Sequence, residues 1–136
     1  EGEKVKDILR INGTIEVSGD AFKKDAGDWK KLSDVRTKKD IRNFNDGLEK
    51  LEQLQPVIFK YNGKAGSVNN NKDYINFIAQ DIKDSFPYMI DTFKAKLNKE
   101  DKTETELFTV DTSSLLFILL NAIKQLNTRL NKLEKS

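Results

Sequence analysis

The sequence predicts an α+β chain: a small antiparallel sheet with helices, closed by a long C-terminal helix that self-associates as a coiled coil. Three patterns predict it. Leu116, Leu119, Ile123, Leu126, Leu130 and Leu133 recur at alternating spacings of three and four, which is the seam of a helix that packs along its length. Residues 57–61 and 74–79 are short apolar runs separated by a Gly/Asn-rich stretch, and read as an antiparallel pair joined by a long turn. Ile41, Phe44, Leu48, Leu51 and Leu54 are also spaced by three or four, so an amphipathic helix is predicted over 38–55.

Taken in order, residues 8–17 alternate around Asn12-Gly13 and carry β-branched side chains. This fits a hairpin. It equally fits one strand winding through a fibre stalk, whose edges neighbouring chains would pair. Residues 18–32 are rich in Gly, Asp and Lys, include Trp29, the only tryptophan, and read as a connector. We therefore divide the chain into residues 1–32, the end of a β-rich fibrous passenger plus connector, and residues 33–136, a second unit opened by Ser33. Pro56 stops the predicted 38–55 helix. A short helix is expected from Asp81 to about Phe86, and residues 97–106 are polar enough to form a mobile loop. In the last helix, Lys124, Gln125, Asn127, Thr128 and Lys132 make a polar face too wide for deep burial in a monomer. Self-association is the better reading of its seam.

The chain has 136 residues, 37% hydrophobic and 34% charged, enough for one modest core that an oligomer would complete. With no cysteine and no histidine, disulfides and thiolate chemistry are excluded; a zinc site would need carboxylates alone, so no structural zinc and no other metal or cofactor is expected. A net charge of +2 makes no case for nucleic acid. The lysine pairs at 23–24, 30–31 and 38–39 are interleaved with Asp20, Asp25, Asp28, Asp34 and Asp40, as on a solvated mixed surface. The longest apolar run, 115–120, is far too short to span a membrane, so no membrane partner is expected. The acidic, polar start reads as that of a C-terminal piece of something longer.

One stretch carries chemistry. In Ser33-Asp34-Val35-Arg36-Thr37-Lys38-Lys39-Asp40-Ile41 a serine precedes a lysine by five residues. A hydroxyl is a poor nucleophile until a base takes its proton, and without histidine the usual serine partner is missing. Lysine substitutes only if its pKa falls from about 10.4 toward neutrality, through burial or a neighbouring cation. Arg36 and Lys39 are such cations. Taken alone, Ser33-Asp34 followed by Ile41, Phe44 and Leu48 is also an ordinary capped helix start.

Further motifs agree with the chemical reading. Ser-Asp-x-Arg-x-Lys-x-x-Ile at 33–41, Asn45-Asp46-Gly47-Leu48, the run from Leu54 through Pro56 to Tyr61-Asn62-Gly63, Tyr74-Ile75-Asn76-Phe77-Ile78-Ala79-Gln80-Asp81, Phe86-Pro87, Phe108-Thr109-Val110-Asp111 and the 120–126 segment occur in that order. Together they resemble the intramolecular chaperone auto-processing domain that ends phage tailspikes, tail fibres and endosialidases, some bacterial surface proteins and the myelin regulatory factor of animals. The resemblance covers residues 33–136. It implies a homotrimer whose seam is Leu116, Leu119, Ile123, Leu126, Leu130 and Leu133, and whose partners are its own copies and an upstream fibrous passenger in a virion tail fibre, tailspike precursor or bacterial surface protein. It further implies Ser33 as nucleophile and Lys38 as general base of a single self-cleavage beside Ser33, with the chaperone part shed afterwards.

Attack by Ser33 on the Leu32 carbonyl closes a five-membered ring, whereas attack on its own carbonyl needs a strained four-membered one. The Leu32–Ser33 bond is favoured, and Ser33–Asp34 stays open if water or another subunit takes part. Arg36, Gln80 and Asp81 are supporting candidates. Positions five apart lie about 140° apart on a regular helix, so Ser33 must sit on a turn before the helix, or Lys38 must reach a serine of a neighbouring subunit. Thr37, Asn76 and Asp81 stand where the family usually has leucine, glycine and glutamate. The first two motivate a rival reading, a non-cleaving trimerisation or interaction module that stays attached. A receptor-binding fibre tip is a third.

Overall fold

A computed structural model describes residues 7–136; the first six residues of the expected passenger segment lie outside it. After a 3₁₀ turn at Val35–Thr37, the elements run α1 (Leu48–Leu51), β1 (Val57–Phe59), β2 (Tyr74–Asn76), α2 (Ala79–Ile82), a second 3₁₀ turn at Pro87–Met89, β3 (Ile90–Ala95), β4 (Thr105–Val110) and α3 (Leu115–Glu134). The class is α+β, with two small antiparallel sheets where the sequence suggested one. β1 pairs with β2 through Val57 opposite Asn76 and Phe59 opposite Tyr74. β3 pairs with β4 from Ile90 opposite Val110 to Ala95 opposite Thr105.

The expected β1–β2 pair is present. Its long turn passes through Gly63 (φ 82°) and Gly66 (φ 77°), backbone conformations that glycine adopts without a Cβ penalty. Lys60 and Asp73 form an ion pair across its base, and Ala65 N–H donates to Leu97 O at 2.9 Å, joining it to the β3–β4 connection. β3 was not anticipated, and the expected 97–106 loop is shorter, since β4 already starts at Thr105. The helix expected from Asp81 to Phe86 lies earlier, as the single turn of α2.

The 38–55 helix shrinks to one turn, Leu48–Leu51. The reason is tertiary. Asn121 Nδ2 donates to the carbonyls of Phe44 and Asp46, each at 2.9 Å, and Leu48 N–H donates to Gln125 Oε1 at 2.8 Å. These α3 side chains satisfy main-chain groups that a helix would have paired within itself. Residues 8–17 form no hairpin either. A two-stranded ribbon with nothing packed on it is at best marginally stable, and Ile8, Leu9, Ile11, Ile15 and Val17 are all exposed.

The core is small. Ile82, Phe86, Met89 and Ile118 form it, with Leu51, Leu54, Phe77, Ile90 and Val110 packed around them. α3 contributes through Ile118 and Ala122, a different face from the leucine seam. All six seam side chains are exposed. The chain's accessible surface is 12815 Å², whereas a compact monomer of 15.6 kDa would expose only about 7,200 Å². Among the described residues, no helix is long and apolar enough to cross a membrane.

Candidate functional site

Asp34 builds the local geometry. It is the N-cap of the Val35–Thr37 turn, and its Oδ1 accepts from Arg36 N–H at 2.9 Å, the usual service of an aspartate at a helical start. The Arg36 guanidinium folds back onto the same carboxylate, Nε to Oδ1 at 3.0 Å and Nη2 to Oδ2 at 2.8 Å. That pairing with Arg36 holds the Asp34 carboxyl below its usual range, and the same contact raises Arg36. Thr37 Oγ1 donates to Asp34 O at 2.6 Å, a use for the hydroxyl that leucine could not supply.

The turn then releases the chain into extended backbone at Lys38 (φ −118°, ψ 148°). A 3₁₀ turn of three residues per turn followed by an extended residue turns the lysine back toward its start. Lys38 Nζ lies 2.6 Å from Ser33 Oγ and donates to it. Of the two routes left open by the five-residue spacing, the turn within one chain is the one adopted. Reach alone therefore gives no reason for cleavage to need a second subunit.

Both side chains are exposed. So are their apolar neighbours Leu32, at 79%, and Val35, at 68%. Lys31, two residues before Ser33, is near enough to Asp111 to help hold that carboxyl down, after the larger effect of its hydrogen bonds from Ser113.

The supporting candidates are placed differently. Arg36 is engaged by Asp34. Gln80 and Asp81 lie exposed on α2, with no hydrogen bond to Ser33 or Lys38 among the described residues. Gln80 instead lines a cavity with Phe59, Tyr61, Phe77 and Phe108. Asn76 turns its side chain back on the backbone, its Oδ1 accepting from Phe77 N–H at 2.8 Å. Among the described residues, no group of three or more potential ligands is placed to hold a metal ion.

Sequence reasoning missed one constellation. Tyr88 Oη donates to Asp46 Oδ2 at 2.6 Å, and its ring meets Phe44 edge-on with centroids 5.3 Å apart. Burial, followed by the Asp46 carboxylate, pushes the Tyr88 phenol well above its ordinary value. The signal for it is the Asn45-Asp46-Gly47-Leu48 motif, which spacing alone assigns to a helix.

A model of a peptidase family described as chaperone of endosialidase matches residues 33–91. The matched stretch opens on Ser33 and supports the recognition of an intramolecular chaperone domain. Comparison with curated proteins finds no match.

Proposed function

With that family match as premise, we propose that residues 33–136 form a trimerisation chaperone for a fibrous passenger, of the phage tail-fibre, tailspike or bacterial-surface kind, whose end is residues 1–32. It releases itself by serine–lysine self-cleavage at the Leu32–Ser33 bond. The observation that carries this reading is the 2.6 Å approach of Lys38 Nζ to Ser33 Oγ, at the residue where the family match begins.

In the resting geometry the ammonium donates to the serine. For reaction the amine must be neutral, and burial disfavours the charged form of an amine. Neutral Nζ then takes the Ser33 proton, and Oγ attacks the Leu32 carbonyl carbon. The C–N bond breaks, and the new α-amine of Ser33 takes the proton from Nζ. The resulting Leu32 ester is hydrolysed by water, which leaves a carboxyl on Leu32 and restores the Ser33 hydroxyl. Assembly supports the chaperone half of the function. Six wet seam side chains forgo on the order of 10 kcal/mol of burial, which a trimer that covers them would recover. Tethering three passengers at one end raises their local concentration to about the millimolar range before their long-range β contacts must close.

The test is the mass of freshly expressed protein beside its sedimentation. Fragments 1–32 and 33–136 from a trimeric preparation support the reading. An intact trimer overturns self-cleavage in favour of a chaperone that stays attached, and an intact monomer overturns both parts.

A further inference from the structure

The hydrogen bonds of the Asp34 turn fix residues 33–38 relative to one another but tie them to no other described residue. Residues 39–43, next along the chain, are exposed and outside any helix or strand, and no hydrogen bond joins them to another described residue. Within this strap Asp40 has φ of 52°, a left-handed conformation that a short polar side chain tolerates, and the chain bends there. The first fixed point downstream is Phe44–Leu48. There Asn121 holds two carbonyls, Gln125 accepts from one N–H, and Tyr88 holds the Asp46 carboxylate.

Asn121 and Gln125 are four residues apart, so they stand one above the other on α3, on the side turned away from the exposed seam residue Ile123. Their bonds go to main-chain groups and therefore report where the 44–48 backbone lies.

We propose that Asn121 and Gln125 are positioning residues for the self-cleavage, acting through the 39–43 strap to place Lys38 relative to the assembled α3. The inference rests on the serine–lysine reading above. The seam sets where α3 lies against its copies, the two amides set where Phe44–Leu48 lies against α3, and the strap carries that placement to the dyad. The competing account is that the Asp34 turn places Lys38 unaided.

The experiment follows first-order appearance of the 33–136 fragment from the full chain by mass spectrometry, with sedimentation of each variant. Asn121→Asp keeps the shape but loses the amide donors, and should cut on the order of 10–100-fold more slowly as a trimer, the scale of a small misplacement of a reacting group. Gln125→Ala should also slow the cut, whereas Gln125→Glu, which keeps the acceptor for Leu48 N–H, should restore it. If Asn121→Asp does not assemble, two glycines inserted after Arg42 test the strap with anchor and seam untouched, and the same slowing is expected. Wild-type rates in trimeric Asn121→Asp and Gln125→Ala, or in the trimeric insertion variant, overturn this inference while leaving self-cleavage standing. So does a Gln125→Glu protein as slow as Gln125→Ala. A wild-type trimer that never cuts overturns the serine–lysine reading and this inference with it.

Discussion

The Gln125 amide fills the space that a side chain on Gly47 would need: a Cβ built there lies 2.6 Å from Gln125 Oε1. Gly47 has φ of −145°, outside the left-handed region, so what a side chain would meet here is the flexible end of Gln125, which would have to swing aside and give up Leu48 N–H. The absence of a side chain lets α1 start directly against α3, with Leu48 N–H on the same amide.

Gly47→Ala should therefore destabilise the domain by about 1 kcal/mol, the usual net worth of the Leu48–Gln125 hydrogen bond that the displaced amide would give up. A denaturant midpoint measures it. On a Gln125→Ala background the same change should cost clearly less, because the colliding atoms are gone, and the difference is the coupling energy of the pair. Equal costs on the two backgrounds would show that Gly47 answers to something other than Gln125.

Ser33→Ala should abolish the cut and leave the circular dichroism unchanged, since Ser33 is exposed and outside the core. Lys38→Ala should come close to the same loss. Lys39→Ala should be mild, because Nζ of Lys38, not of Lys39, meets Ser33. Equal losses for the two lysines would point to a general charge effect.

The seam should hold the trimer. Ile123→Asp combined with Leu126→Asp places charges where an assembled seam would be dry, at a cost of several kcal/mol. Sedimentation should show a trimer for the wild type at micromolar concentration and a monomer for the variant, which should also stay uncut. Cleavage of a demonstrably monomeric variant at the wild-type rate would mean that the 2.6 Å contact within one chain suffices.

Alkaline titration should reach Tyr88. Its folded pKa is raised above the ordinary 10.0 by burial and by Asp46. The contribution of its neutral form is therefore fully present below about pH 10 and is lost as pH rises toward the folded value. Denaturant midpoints across this range should fall more steeply for the wild type than for Tyr88→Phe. Parallel curves would remove the Tyr88–Asp46 bond from the account of stability.

What was legible in the sequence was what local pattern encodes. The apolar runs of β1 and β2 and the spacing of α3 lie within single windows, and the Ser33–Lys38 pair was found within one short motif. What was not legible depends on distant partners. α1 is cut short because Gln125, 77 residues away, binds Leu48, and Asn121 takes two carbonyls that a local reading assigns to a helix. β3 was missed because Asp91 and Lys94 interrupt its apolar pattern, and its strand character comes from β4. Residues 8–17 have strand chemistry, but the described chain offers them no edge to pair with.

The Leu32–Ser33 junction would also govern the fate of the two products of the proposed cut. Among the described residues, no hydrogen bond joins any residue up to Leu32 with any from Ser33 onward. A cut there would leave two pieces with no shared hydrogen-bonded ladder, only weak attractions such as that of Lys31 for Asp111, and the religation of amine to carboxyl would have no template. The step would run one way: a chaperone that has let go is in no position to take its passenger back.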